Sequence, residues 1–514
     1  MNQSTQINSL HADDSSTLGD MRNLGDLLSA SAARNPQKAA IAFEDRSISY
    51  ESLEQATTRL ARWFLQQGCK PGDRIAFYWP NSIEAAELYF ACFKARLIAV
   101  PVNVLMKAHE LAYVLEHSKA VMCFARPDLA HVAMEAGRSC APLRAIHTSV
   151  ESLNEGELES QLPEVSLSDP ALIIYTSGTT ALPKGVTHTH RTLLANVTIG
   201  QNSIPDLERC LVMTQLAFMS GIYYGLLTVI ASCGTIVLAP AFEAPHVLDL
   251  IERFQCTCTF GLPSMLQLLL EEQALRPRQV RSIRTFFAAG DAVPISTHER
   301  FQEQFGIALR ECLGMTETGL TISNPAGAIR PGSLGIPVDG VEVKVVDSKG
   351  EEMPDGQTGE LIVKTPGNLV RYWEDPIATR EALRDGWLVT GDLVRRDSDG
   401  YFWFEGRKKQ IIVRDGFNIS PQEVEEAIYS HPAVLEVGVI GMPDSVEARG
   451  ERVVAFVALR DGCVTSEEEL REHARRRLAD LKVPEKIVFL KKLPKGISGK
   501  IQRSALKQSQ LAAA

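Results

Sequence analysis

The stretch 174–190, IYTSGTTALPKGVTHTH, limits what this chain can be more than any other. The apolar run at 171–175 just before it reads as a buried strand. Thr176, Ser177, Gly178, Thr179 and Thr180 follow as a turn with four hydroxyls and no bulk, and Pro183, Lys184 and Gly185 close it. Successive backbone N–H groups in such a loop can converge on one concavity. Hydroxyls and a lysine ammonium add donors, so the loop suits a polyphosphate. The plain alternative is a Ser/Thr-rich surface loop, but such loops seldom follow a buried strand and end in Pro-Lys-Gly. A P-loop needs Gly-Lys-Ser/Thr at the start of a helix. Here Lys184 precedes its glycine, and valine comes after that. This is a phosphate loop of another kind.

The run resembles, nearly letter for letter, the signature loop of the acyl-adenylate-forming superfamily, which includes acyl- and aryl-CoA ligases, peptide-synthetase adenylation domains and luciferases. The resemblance implies an α/β protein: a large N-terminal domain of helix-covered sheets and a small mobile α+β C-terminal domain. It also implies ATP, Mg2+ and coenzyme A as reactants or cofactors.

Other properties of the chain agree with such an enzyme. At 514 residues it exceeds one compact core, so two or more domains are expected. A net charge of −10 argues against a general nucleic-acid binder. Ten cysteines without repeated spacing fit reduced thiols in a cytoplasmic protein. Cys256 and Cys258 are read as buried strand residues, because a metal site would need further ligands nearby. Residues 1–20 are polar and read as a disordered tail. No charged side chain occurs from Cys210 to Phe242, yet Gly221, Gly225, Ser232 and Gly234 break this run. It divides into a helix at 221–231 and a strand at 235–239, an interior segment and not a membrane span.

Between residues 24 and 100 helical spacing alternates with short apolar runs. Helices are expected at 50–67, 83–95 and 110–117, strands at 74–78 and 97–102, with turns at 34–36 and 70–73. That rhythm implies a parallel sheet covered by helices.

Further motifs extend the resemblance over roughly residues 24–505. In QLAFMSGIYYG, Phe218, Met219 and Tyr223 match positions that line the acid pocket. Relatives loading amino acids carry aspartate where this chain has Met219, so an apolar acid is expected. FFAAGDAVP places Gly290, Asp291 and Ala292 at the adenine-facing turn. ECLGMTET places Gly314, Met315 and Thr316 beside phosphate and Glu317 on magnesium, with Leu313 where the family usually has tyrosine. One carboxylate suffices for Mg2+, which keeps waters and phosphate oxygens. Asp392 in LVTGDL is expected on the ribose and Arg407 on ribose and phosphate. Lys409 matches the hinge, Gly416 a loop serving the CoA step, and Lys500 in LPKGISGKI the catalytic lysine of adenylate formation.

The domain boundaries expected are 1–20 tail, 21–405 large domain, 406–410 hinge, 411–505 small domain and 506–514 tail. Ser420-Pro421-Gln422-Glu423 reads as a helix start, and Ser466 with Glu469 as a capping box. The basic region 471–507 reads as a solvated face that can also meet nucleotide phosphates.

The expected reaction joins an apolar carboxylic acid, with a medium- or long-chain fatty acid favoured, to CoA. AMP and pyrophosphate are released. An aryl or cyclic acid, or a carrier-protein thiol in place of CoA, stays open, as does a homodimer. A luciferase-like oxygenase would share the adenylation motifs, and a non-catalytic nucleotide-binding protein would not need Lys184, Glu317 and Lys500.

Overall fold

Strand Arg74–Tyr78 shows how the large domain is layered. Ile75 and Phe77 point into one apolar cluster while Ala76 and Tyr78 point into another, as the two-residue period of a strand requires. In the second sheet, strand Arg209–Val212 does the same: Cys210 and Val212 join the first cluster and Leu211 a third. Both sheets therefore share the first cluster, and each has a separate core on its outer face.

The computed structural model describes residues 21–150, 161–176, 182–291, 293–444, 450–496 and 499–511. One sheet has seven strands in the order Arg371–Tyr372, Lys184–Thr189, Pro170–Thr176, Ile98–Pro101, Arg74–Tyr78, Ala120–Ala125 and Ala145–His147. The other has nine and includes the parallel neighbours Arg310–Met315, Thr285–Ala288, Cys258–Gly261, Arg209–Val212 and Thr235–Leu238. Helices Leu24–Arg34, Tyr50–Gln66, Ile83–Lys94 and His190–Ser203 contribute to the shared core. Ile83–Lys94 is buried nearly all round, which its mostly apolar sequence permits, and the Ser82 hydroxyl accepts from the Ala85 N–H at 3.2 Å to cap it.

A five-stranded sheet, built on Thr358–Lys364 and Trp387–Arg396, leads into strand Phe402–Arg407. Lys408–Gln410 then make one tight 3-10 turn. Beyond it lie the hairpin Ile412–Arg414 and Phe417–Ile419 and a three-stranded sheet of Val434–Pro443, Glu451–Leu459 and Lys486–Phe489. Helices Pro421–Tyr429 and Glu467–Arg475 cover one face of that sheet and Leu506 packs on the other.

Most expected elements stand within a residue or two of their sequence-read bounds, and four readings change. The helix expected at 221–231 is a π-helical segment, Ser220–Leu227, followed by an α-turn, Thr228–Ala231. Residues 506–511 are not a tail: helix Arg503–Leu511 buries Leu506 against Gly438. Cys258 lies in a strand, but Cys256 is buried in the connection before it. Ser466 caps its helix through the Glu469 N–H, while the Glu469 carboxylate turns to Thr465 Oγ1 instead of closing the box. Residues 1–20 lie outside the described residues. All ten cysteines are free thiols. No helix among the described residues is long and apolar enough to cross a membrane.

Candidate active site

Strands Pro170–Thr176 and Lys184–Thr189, which flank the loop expected to hold phosphate, pair antiparallel, with Thr176 opposite Lys184. Ser177, Gly178, Thr179 and Thr180 lie outside the described residues. Tyr113 Oη donates to Pro183 O at 3.0 Å, and the Lys184 ammonium lies 5.1 Å from the centre of the Tyr372 ring.

Tyr372 also donates its hydroxyl to Glu317 Oε1 at 3.0 Å, so one aromatic residue spans the loop lysine and this carboxylate. Burial raises the Glu317 carboxyl above its ordinary range, and the Tyr372 hydrogen bond and Arg407 oppose the rise. The carbonyl of Thr316 accepts from His188 Nε2 at 2.7 Å. A carbonyl only accepts, so Nε2 carries the proton, and burial holds the imidazole neutral with a pKa of about 4. His188 lies on the strand that leaves the phosphate loop, and it thereby ties that strand to the Thr316–Glu317 turn.

Asp392 and Arg407 are cross-strand partners, with Arg407 Nε 3.0 Å from Asp392 Oδ1. Asp392 is buried, whereas nearly half the Arg407 side chain is exposed. A buried acceptor beside an accessible guanidinium offers both kinds of contact to a polar ligand.

Lys500 arrives from the small domain. Gly499 O accepts from Ser264 Oγ at 3.5 Å, and the lysine side chain then crosses Gly290. A Cβ on Gly290 would meet Lys500 Cε at 3.3 Å and Leu262 Cδ2 at 2.9 Å, at a backbone φ of +98°. Glycine is needed there on both counts. Burial lowers the Lys500 pKa below the ordinary lysine range, and Arg407 adds to the effect. Asp291, Asp392 and Glu317 oppose it. These groups act on one ammonium, so the structure gathers Gly290, Asp291, Glu317, Asp392, Arg407 and Lys500 at one place. Ala292 lies outside the described residues. Gly314 and Met315 lie in strand Arg310–Met315, and Met315 packs beside Val186 of the loop hairpin.

Glu317 suits a hard cation: it is a single carboxylate with one oxygen fixed by Tyr372. No cluster of three or more His, Cys, Asp or Glu side chains able to hold a metal occurs among the described residues. A cation here needs phosphate oxygens to complete its shell, as Mg2+ usually does.

The apolar segment is held by residues that the sequence reading missed. Asn81 Nδ2 donates to Thr214 O and Ala239 O, both at 2.9 Å, and Oδ1 accepts from Leu216 N at 2.7 Å. Tyr89 Oη donates to Leu216 O at 2.5 Å. Met219 is buried and Phe218 partly so. Tyr223 is fully buried, with its hydroxyl on the Gly200 side. Tyr224 instead stacks on Phe260, centroids 4.9 Å apart and planes 11° apart, with its hydroxyl towards Gly314. Gly416 forms the tip of its hairpin at φ +79°, with open space around it, and is not brought to the other site residues. Lys409 lies in the 3-10 turn between the sheets.

Comparison with known proteins places this arrangement. Residues 28–373 match the AMP-binding enzyme family and residues 423–500 the AMP-binding enzyme C-terminal domain. The chain belongs to the AMP-binding enzyme family. It is 34% identical to the sulfoacetate–CoA ligase of Cupriavidus necator over 94% of this chain and 97% of that one. It is 31% identical to the long-chain-fatty-acid–CoA ligase of Bacillus subtilis, with 95% of each chain covered. The crystal structure of an anthranilate CoA ligase in complex with anthranoyl-AMP superposes with a TM-score of 0.92 at 27% identity, covering 97% of this chain and 100% of that one. This family member is an acid–thiol ligase of the adenylate-forming type.

Proposed function

We propose that this ligase activates an apolar carboxylic acid, with a medium- or long-chain fatty acid favoured, and transfers the acyl group to CoA. The chemistry has two balanced steps. A carboxylate oxygen of the acid bonds to the α-phosphorus of ATP as the α–β bridging bond breaks, giving acyl-AMP and pyrophosphate. The CoA sulfur, as thiolate, then bonds to the acyl carbon, and AMP leaves. Glu317, with phosphate oxygens, would hold Mg2+, which would supply neutralisation of the phosphate charge.

The observation that carries this reading is the convergence of Lys500, Glu317, Asp392 and Arg407 beside the Lys184 hairpin. Substitution at phosphorus needs positioning and charge neutralisation more than covalent help. Lys184 and the loop, including Thr176, would hold the outer phosphates. Thr316 and Glu317 would serve the phosphate and its Mg2+, Asp392 and Arg407 the ribose end. Lys500 would bridge the acid carboxylate and the α-phosphate. The small domain then turns at Lys409 so that Gly416 faces the site for CoA transfer.

The relatives named above act on acids as unlike as sulfoacetate and long-chain fatty acids. The reason to expect an apolar acid lies in this chain's own uncharged segment, Cys210 to Phe242. An isolated charge buried against it would cost several kcal/mol. The flat Tyr224–Phe260 pair supports a second reading, a planar ring acid. A panel of hexanoate, octanoate, benzoate, phenylalanine and succinate with ATP, Mg2+ and CoA, read by AMP release, tests both. Octanoate is expected to lead. If benzoate leads, the ring-acid reading replaces the fatty-acid one; if phenylalanine or succinate leads, the apolar pocket is wrong. A CoA-independent rate that rises with a carrier protein would identify that thiol donor instead.

A further inference from the structure

Two helices of the large domain are gripped by the small one, one of them both beside Lys500 and further away. Helix Pro263–Leu275 meets it twice. Near its start, Ser264 Oγ donates to Gly499 O, one residue before Lys500. Two turns further on, Glu271 Oε1 accepts from Arg460 Nη1 at 2.5 Å. Arg460 directly follows strand Glu451–Leu459, at the far end of the small sheet's central strand.

Helix Ile295–Phe305 supplies the third point. Its N-cap residue is Pro294, which has no side-chain acceptor for the free N–H groups of the first turn. Glu426, on helix Pro421–Tyr429 of the small domain, takes that role: its Oε1 accepts from Ile295 N–H at 3.2 Å. A carboxylate at this end of a helix also meets the positive end of the dipole. A cap that a helix normally finds in its own chain neighbourhood is here supplied from 131 residues away.

We propose that the Glu271–Arg460 pair and the Glu426 cap form a clasp that seats Lys500 over Gly290, making these three positioning residues for adenylate formation. The inference rests on the role given to Lys500 above. The clasp is weak by construction. Side chains of Arg460 and Glu271 keep 25% and 32% of their exposure, and partly exposed pairs shift an equilibrium only a few-fold. A stronger bond would hinder the domain turn that the second step needs. The two contacts act on a rigid-body equilibrium, so their loss biases the enzyme between its two half-reactions without touching either chemistry.

The test is charge reversal on the large domain, Glu271→Arg, with the double variant Glu271→Arg/Arg460→Glu as rescue. Acid-dependent ATP–pyrophosphate exchange in Glu271→Arg is expected to fall about five-fold, while CoA transfer from supplied acyl-adenylate holds or rises. The double variant is expected to recover most of the exchange. Equal change in both half-reactions, no change in either, or no recovery in the double variant would overturn the clasp. Trypsin cleavage after Lys408 or Lys409 gives a readout independent of catalysis: it is expected to be faster in Glu271→Arg and restored in the double variant, and unchanged cleavage overturns the clasp. A wild-type enzyme without acid-dependent exchange would overturn the functional reading itself, and Lys500's part in it, whatever the cleavage shows.

Discussion

At the scale of single residues, Lys500 and Tyr372 teach different lessons. Lys500 stands in a motif that marks it in the sequence, and in the fold Arg407, Asp291, Asp392 and Glu317 all act electrostatically on its ammonium. Lys500→Ala is expected to lower ATP–pyrophosphate exchange by about 10²–10³, the usual effect of removing one preorganised donor, and to spare CoA transfer from supplied acyl-adenylate. Equal loss of both half-reactions would contradict its assigned step. Tyr372 had no signal in the chain: Arg371–Tyr372 is a two-residue edge strand that looks like any surface tyrosine. Only the pairing of that strand with Lys184–Thr189 carries its hydroxyl to Glu317 and its ring under Lys184. Tyr372→Phe is expected to raise KM for Mg·ATP by about ten-fold, the lower end of the value of one hydrogen bond to a charged group, with little change in KM for the acid. Titration of Mg2+ at fixed ATP checks it, and a shift in the acid KM alone would refute it.

Among the elements, the segment 220–227 departs furthest from its sequence pattern. Its apolar composition and glycines allowed an ordinary helix, and no local rule distinguishes a π turn from an α turn. The cause is contact with neighbouring backbone. A Cβ on Gly221 would lie 2.3 Å from Gln215 O, and one on Gly225 2.7 Å from Val212 Cγ2. The segment is pressed onto its own incoming loop, which Asn81 and Tyr89 pin from the first sheet's side. π turns tend to occur at functional sites, where they re-aim side chains, and here one turns Tyr223 and Tyr224 to opposite sides. Gly221→Ala is expected to cost about 1–3 kcal/mol of stability through overpacking against backbone. It should also raise KM for the acid while leaving KM for ATP close to wild type. Denaturant midpoints and separate substrate titrations measure the two effects, and unchanged stability would mean the close approach is not real.

Over the whole molecule, burial sets the response to pH. His188 and His190 have pKa values lowered to about 4 by burial in the shared core, below the ordinary 6.5. A histidine depressed in the folded state binds its proton more readily when unfolded. Its contribution is therefore complete above pH 6.5 and is lost as pH falls through the folded value near 4. Glu317, Asp392 and Glu425 are raised by burial and act in the opposite sense, losing stability as pH rises through their folded values. A comparison with one histidine removed isolates that term: His190→Asn is expected to be less stable than wild type at pH 7, with the gap narrowing between pH 6.5 and 4. Chemical denaturation at three pH values checks it, and a constant gap would show that His190 is not buried neutral.

The basic region 471–507 shows how charge reads differently in sequence and in space. Arg471 pairs with Glu467 and Glu468, Arg475 with Glu472, Lys482 with Glu423, Lys495 with Glu436, Arg503 with Glu425 and Lys507 with Glu451, so much of its charge is met by carboxylates of the same domain. Sequence order cannot reveal such pairs, because their members lie up to 78 residues apart.

The sequence by itself determined what local pattern controls. It determined the alternation of strands and helices and the buried strand that runs into the Lys184 loop, and it marked the residues expected to handle phosphate, ribose and a hard cation. Period-two burial and short, specific motifs are written in neighbouring residues, so they survive without coordinates. Only the tertiary structure decided which groups meet. It placed Tyr372 between Lys184 and Glu317, seated Lys500 across Gly290 and capped one domain's helix with Glu426 of the other. Those contacts join residues far apart in the chain, and their geometry follows from sheet order and domain packing, which no local spacing encodes.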